Sequence, residues 1–206
     1  MRWLRALAFL VLGLAAPGVA PAAEERVIVA FGDSLTAGFG VEPDLAWPAL
    51  LQERLGREGY PYRVVNAGVS GDTTAGGLRR VDWVLRAHPE IVVVALGAND
   101  GLRGQPVAAM EANLAEIVAR LQGAGARVLL AGMRVPPNYG AEYARAFRRA
   151  FAEVARRARV PIMPFLLDGV AADPRLNQSD GIHPNAEGHR LVAEHVWPYL
   201  LPLLKK

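Results

Sequence analysis

The chain contains no cysteine, which excludes disulfides, thiolate metal sites and a thiol nucleophile. An excess of either charge is also missing, since 23 Lys and Arg face 20 Asp and Glu, a formal net charge of +3. Two of those cations, Arg2 and Arg5, lie in an N-terminal leader, and without them the balance is 21 − 20 = +1. That is too little for a nucleic-acid surface built on net charge. Two catalytic or cofactor signatures are absent as well. No Gly-x-Ser-x-Gly appears, which disfavours the nucleophile elbow of the general α/β-hydrolase fold. The glycine-rich stretch Gly32 to Gly40 lacks the Gly-x-Gly-x-x-Gly spacing of a dinucleotide loop. What is present is 206 residues, 52% of them hydrophobic and 21% charged, the composition and length of one globular domain.

The N-terminus reads as a leader. Met1 to Arg5 is cationic, Ala6 to Ala16 is apolar, and Pro17 to Ala23 is rich in small residues. This is the layout of a secretory signal peptide. A membrane anchor is the alternative, but Pro17, Gly18 and Pro21 interrupt the apolar run well short of the roughly 20 residues a span requires. The expectation is therefore a signal peptide over 1–23, cut between Ala20 and Ala23, and a domain over 24–206 exported to the periplasm or beyond.

After the leader, short β-branched runs alternate with longer segments of helical period. Val27 to Phe31, Arg63 to Asn66, Ile91 to Leu96, Val128 to Ala131 and Ile162 to Phe165 read as strands buried on both faces. Between them, Trp47, Leu50, Leu51 and Leu55, then Leu78, Val81, Val84 and Leu85, share helical faces. Val107 to Leu121 and Tyr143 to Val154 repeat the steps of three and four, and a last helix spans about Asn185 to Trp197. Five strand-then-helix units predict an α/β fold with a five-stranded parallel sheet covered on both sides. In such a sheet ligands bind beyond the carboxyl ends of the strands, so the residues in those turns carry the most information.

The turns hold Gly32-Asp33-Ser34-Leu35, Gly68-Val69-Ser70-Gly71-Asp72, Gly97-Ala98-Asn99-Asp100 and, after the fifth strand, Asp180-Gly181-Ile182-His183-Pro184. Acyl transfer by a serine needs a nucleophile, a base, an acid that orients the base, and donors aimed at the oxyanion. Ser34 follows a buried strand in a glycine-bounded turn and is the candidate nucleophile, although such a serine also caps helices. Of the four histidines, only His183 lies in a loop with a carboxylate, Asp180, three residues earlier. Asp180 can fix the imidazole tautomer that accepts the serine proton. His189 and His195 fall in the last helix, where a packed or solvated role is expected. The Ser34 and Gly71 N–H groups and the Asn99 amide are the candidate oxyanion donors; alone, Gly71 and Asn99 would read as ordinary turn residues.

These four blocks, in this order, resemble those of the SGNH hydrolases, also called GDSL lipases and esterases. Phe31-Gly32-Asp33-Ser34-Leu35, Gly71-Asp72-Thr73, Gly97-Ala98-Asn99-Asp100 and Asp180-Gly181-Ile182-His183-Pro184 together span nearly the whole predicted mature chain. The resemblance implies a three-layer α/β/α flavodoxin-like fold, with Ser34, Asp180 and His183 as the triad and Ser34, Gly71 and Asn99 as the oxyanion hole. Asn99 to Gly104, Pro137 to Gly140 and Gly181 to Asn185 are similar to segments of a periplasmic multifunctional subgroup. That similarity implies hydrolysis of acyl esters and thioesters, among them aryl esters, acyl-CoA and lysophospholipids, without a metal or other cofactor.

Two other readings compete on residue types alone. Asp33, Asp72, Asp100, Asp180 and His183 are of the types that ligate a metal in a phosphoesterase, and the rim of an α/β sheet can serve a binding module with no chemistry. For the substrate, Leu102, Val135, Pro136, Pro137 and Tyr139 sit in loops near the rim and are candidates for an apolar groove. Arg134 to Tyr143, rich in Pro and Gly, is a candidate flap over it. The partners expected are a small-molecule acyl ester or thioester and no nucleic acid, with no stable membrane span; nothing demands more than a monomer.

Overall fold

A computed structural model describes residues 26–206; the expected signal peptide over 1–23 lies outside the described residues. Five parallel strands, β1 (Arg26–Gly32), β2 (Tyr62–Gly68), β3 (Ile91–Ala95), β4 (Arg127–Ala131) and β5 (Ile162–Met163), form one sheet in the order β2-β1-β3-β4-β5. The order reverses at β1, so the first and third strands diverge into their loops side by side and leave a crevice at their carboxyl ends. β3 is the centre of the core. All five of its residues are buried, and each Val or Ile removed from water there contributes roughly 1.5–3 kcal/mol.

Among the described residues seven α-helices flank the sheet: α1 (Ser34–Ala37), α2 (Trp47–Arg57), α3 (Thr74–Leu85), α4 (Ala98–Leu102), α5 (Val107–Gly123), α6 (Ala141–Ala158) and α7 (Ala186–Leu200). The long ones follow the apolar periods in the sequence. In α6, Phe147, Ala150, Phe151 and Val154 turn inward, while Arg145, Arg148 and Arg149 occupy the opposite stripe, as an amphipathic surface helix requires. α5 packs beside both α3 and α6 on the sheet.

Three local features depart from the sequence reading. β5 stops at Met163 rather than Phe165, because Pro161 and Pro164 bracket it and a proline has no N–H for the ladder. α7 runs through Pro198 to Leu200 instead of ending at Trp197, since Val196, Trp197 and Leu200 stay buried against the core. Two short helices, α1 and α4, stand directly at the ends of β1 and β3, too brief to leave a period in the sequence. The close fit of α1 depends on Gly68, where a Cβ would lie 2.2 Å from the backbone nitrogen of Ala37.

Candidate active site

Every strand of a parallel sheet ends on the same edge, and the four motif blocks meet there. Ser34 opens α1, whose N-cap Asp33 accepts a hydrogen bond from the Leu35 N–H. Its hydroxyl lies 2.9 Å from His183 Nε2, a contact between residues 149 positions apart in the chain. On the other side of the ring, His183 Nδ1 lies 2.6 Å from Asp180 Oδ2. Asp180 Oδ1 accepts from the N–H groups of Ile182 and His183 at 2.9 and 3.0 Å. The His183 N–H, the imidazole and the Ile182 N–H hold this carboxyl down to about 2, so it stays ionised and Nδ1 keeps its proton. Nε2 is then free to accept from the serine.

The histidine loop is pinned in place. The Gln178 N–H donates to the His183 carbonyl at 2.8 Å. Its side-chain amide nitrogen donates to Pro184 O at 3.0 Å and to Phe39 O, just past α1, at 2.7 Å. Phe39 closes the other flank, its ring 4.7 Å from the imidazole. The sequence offers no signal for Gln178, because its role depends on a contact 139 residues away.

Gly71 lies beyond β2 with φ of +80°, a conformation that favours glycine. Asn99 sits in α4 at the end of β3, and its side-chain Nδ2 donates to the Asp72 carbonyl at 3.0 Å. Asp33 Oδ2 lies 3.4 Å from the same amide. Asp33 is fully buried, and that burial pushes its carboxyl up to about 7 against the opposing Leu35 and Asn99 hydrogen bonds. His189, buried in α7, accepts from the Trp47 N–H at 3.3 Å. Burial, and then the charge of His183, hold it down to about 4, which makes it a neutral packing residue.

Asp72 and Asp100, of the residue types that ligate metals, are engaged elsewhere. Asp72 pairs with Arg80 at 2.7 Å, and Asp100 accepts from the N–H and hydroxyl of Thr74 at 2.8 and 2.5 Å. Among the described residues no three His, Asp or Glu side chains converge as a metal site requires.

A cleft of about 480 Å³ leads away from Ser34, Asn99 and His183, within the size range of small-molecule sites. Leu102, Val135 and Pro136 line it, joined by Met133, Phe165, Leu167 and Ile182, which the sequence reading did not name as groove residues. Tyr139 is a correction. It lies in a single 3-10 turn, Pro137–Tyr139, and does not line the cleft. Its hydroxyl donates to Leu102 O at 2.5 Å, and its ring lies tilted against Tyr143 at 5.9 Å, so it holds a cleft wall from behind. The side chain of Pro137 lies outside the described residues.

Residues 30–191 match the model of the GDSL-like lipase/acylhydrolase family. The chain belongs to this family. It is therefore a hydrolase of the SGNH type, and its fold agrees. The chain is 45% identical over 183 residues to an esterase TesA of Pseudomonas aeruginosa, covering 88% of this chain and 91% of that protein. It is 39% identical over 184 residues to thioesterase 1/protease 1/lysophospholipase L1 of Escherichia coli K12, covering 89% and 87%. A crystal structure of TesA superimposes with a TM-score of 0.85 at 46% identity, covering 87% of this chain and all of that one.

Proposed function

We propose that this hydrolase cleaves acyl esters and thioesters through an acyl-enzyme on Ser34. The observation that carries the reading is the unbroken relay from Ser34 Oγ to His183 Nε2 and from His183 Nδ1 to Asp180. Ser34 Oγ attacks the acyl carbonyl as its proton passes to His183 Nε2, and Asp180 stabilises the imidazolium. The N–H groups of Ser34 and Gly71 and the Asn99 amide donate to the tetrahedral oxyanion, each worth roughly 3–4 kcal/mol in a water-excluded site. Collapse of that adduct expels an alcohol or thiol, which takes the proton from His183. Water then gives its proton to the same nitrogen, attacks the acyl-enzyme and releases the acid.

The apolar lining of the cleft supports an acyl chain as the group bound there, with Leu102, Val135 and Phe165 against it. Aryl esters, acyl-CoA and lysophospholipids are the substrate classes we propose; the names of the relatives support thioester and lysophospholipid cleavage. The leader over 1–23 supports export to the periplasm or the exterior. That Ser34, His183 and Asp180 of one copy lie within hydrogen-bond reach of one another supports a monomer as the working unit.

The test is turnover of short aryl esters and of acyl thioesters by purified protein and by Ser34→Ala. The variant should lose at least about 10⁴-fold in kcat, because triad members act as a unit, while its circular dichroism is unchanged. A serine-directed phosphonate should add its mass at Ser34. A folded Ser34→Ala protein with retained activity overturns the proposal.

A further inference from the structure

The oxyanion donors differ in how they are held. The Ser34 N–H is fixed by its own helix, but Gly71 lies in an exposed turn, its carbonyl accepting from the exposed Arg103 guanidinium at 2.9 Å, and Asn99 donates through a rotatable side chain. Both meet at Asp72, which follows Gly71 and whose carbonyl accepts from Asn99 Nδ2 at 3.0 Å. The Asp72 carboxylate in turn is gripped by the Arg80 side chain. Arg80 Nε donates to Asp72 Oδ2 at 2.7 Å, one terminal nitrogen donates to Ala67 O at 2.8 Å, and the other to Gly32 O at 2.8 Å. The guanidinium also lies 4.5 Å from the centre of the Phe31 ring. Arg80 thereby ties the loop of Gly71 to the ends of both β1 and β2. The Gly32 carbonyl it holds also accepts from the Val69 N–H at 3.0 Å, at the start of the same loop.

The grip is largely out of solvent, with 18% of the Arg80 side chain and 11% of the Asp72 side chain exposed. Room for the carboxylate is made by Gly76, where a Cβ would stand 1.7 Å from Asp72 Oδ1. None of this lies on the cleft, and Arg80 makes no hydrogen bond to the triad. A planar fork with five donors can reach three acceptors on three segments at once, which an ammonium on a flexible stem cannot do.

We infer that Arg80 is a positioning residue for the oxyanion hole, clamping Asp72 to the ends of β1 and β2 so that the Gly71 N–H and the Asn99 amide are aimed before charge develops. The inference rests on the acyl-enzyme reading above. Donors aimed at the oxyanion matter more in the transition state than in the bound substrate. Loosening them therefore lowers kcat and leaves KM nearly unchanged. A residue that only holds the fold together would lower the melting temperature and leave kcat of the folded protein alone.

The experiment measures kcat, KM and thermal midpoint of the purified full chain on a soluble short-chain aryl ester, well below each midpoint. Arg80→Met should lower kcat about 10- to 100-fold, the scale of a misaimed catalytic group, with KM within about twofold. Arg80→Lys should fall between it and the parent. In an Asn99→Ala background the same Arg80→Met change should cost clearly less than in the parent, because the share of its effect that runs through the Asn99 amide is already gone while the share through the Gly71 N–H remains. Guanidinium ion added to Arg80→Gly should restore kcat at least about fivefold by supplying the missing fork, and methylammonium should not. A folded Arg80→Met protein with the parent kcat, or a full multiplicative loss in Asn99→Ala, overturns the inference. If Arg80→Met does not fold, Arg80→Lys and Asp72→Asn carry the same comparison, and parent kcat in both overturns it. An active Ser34→Ala protein defeats the acyl-enzyme reading instead; with Ser34→Ala dead and the Arg80 variants at parent kcat, only the positioning role fails.

Discussion

Replacing Asp33 by Asn should make the protein more stable at alkaline pH relative to its parent, and less so at acid pH. Asp33 is at 0% exposure, and burial raises its carboxyl from 3.8 to about 7. Between those two values the native state holds a proton that the unfolded chain releases. Stability therefore falls as pH rises through this window and levels off above about pH 7, the reverse of the usual carboxylate. The change is 2.303RT multiplied by the shift from 3.8 to about 7, or about 4 kcal/mol. An Asn at this position titrates in neither state. It keeps an acceptor for the Leu35 N–H, now at 3.0 Å, but opposes the Asn99 amide with a second amide, an offset of about 1 kcal/mol that does not vary with pH. The assay is urea unfolding of both proteins from about pH 4 to about pH 8.5, comparing the free-energy difference between them at each pH. The difference should move toward the variant by several kcal/mol across the series. A difference constant in pH refutes the argument that Asp33 folds at the expense of its charge.

Gln178→Ala removes the amide bonds to Phe39 O and Pro184 O, at a cost of about 1–2 kcal/mol in stability. With the histidine loop no longer tied to the segment after Ser34, kcat/KM should drop about tenfold, read from steady-state rates on the same ester; unchanged rates would show that the loop is held without it. Gly68→Ala forces a Cβ against the Ala37 nitrogen, 2.2 Å away, so α1 must shift. Destabilisation of about 1–3 kcal/mol is expected, seen as a lower urea midpoint, and an unchanged midpoint would mean that α1 is less tightly seated than its contacts imply.

Legibility tracked how local each signal was. β3 announced itself through five consecutive buried β-branched or small residues, and α6 through Phe147, Phe151 and Val154 on one stripe, because strand and helix periods are properties of neighbouring residues. Ser34, Asp180, His183, Gly71 and Asn99 stood out for a related reason: each sits in a short glycine-bearing block at a strand end, and the order of the blocks supplied the context that any one lacks. Arg80 and Gln178 carried no such mark. Each works through partners on other segments, and an arginine two residues past Leu78 reads as the solvated side of α3. Tyr139 reads from the sequence as a groove residue because its loop lies near the rim, while its hydroxyl in fact meets a carbonyl 37 positions away.

The amino-acid order alone thus determined the alternation of strands and helices, the parallel sheet it demands, and the set of chemical groups gathered at one edge, since these follow from periodicity and from turn residues that act on their neighbours. Tertiary structure decided the distances and the charges. Only packing brings Ser34 within 2.9 Å of an imidazole 149 residues away, only full burial moves the Asp33 carboxyl to about 7, and only the meeting of β1, β2 and α3 gives the Arg80 guanidinium three acceptors at once. Hydrogen-bond geometry and desolvation are properties of the surroundings in space, and a linear order of residues does not contain them.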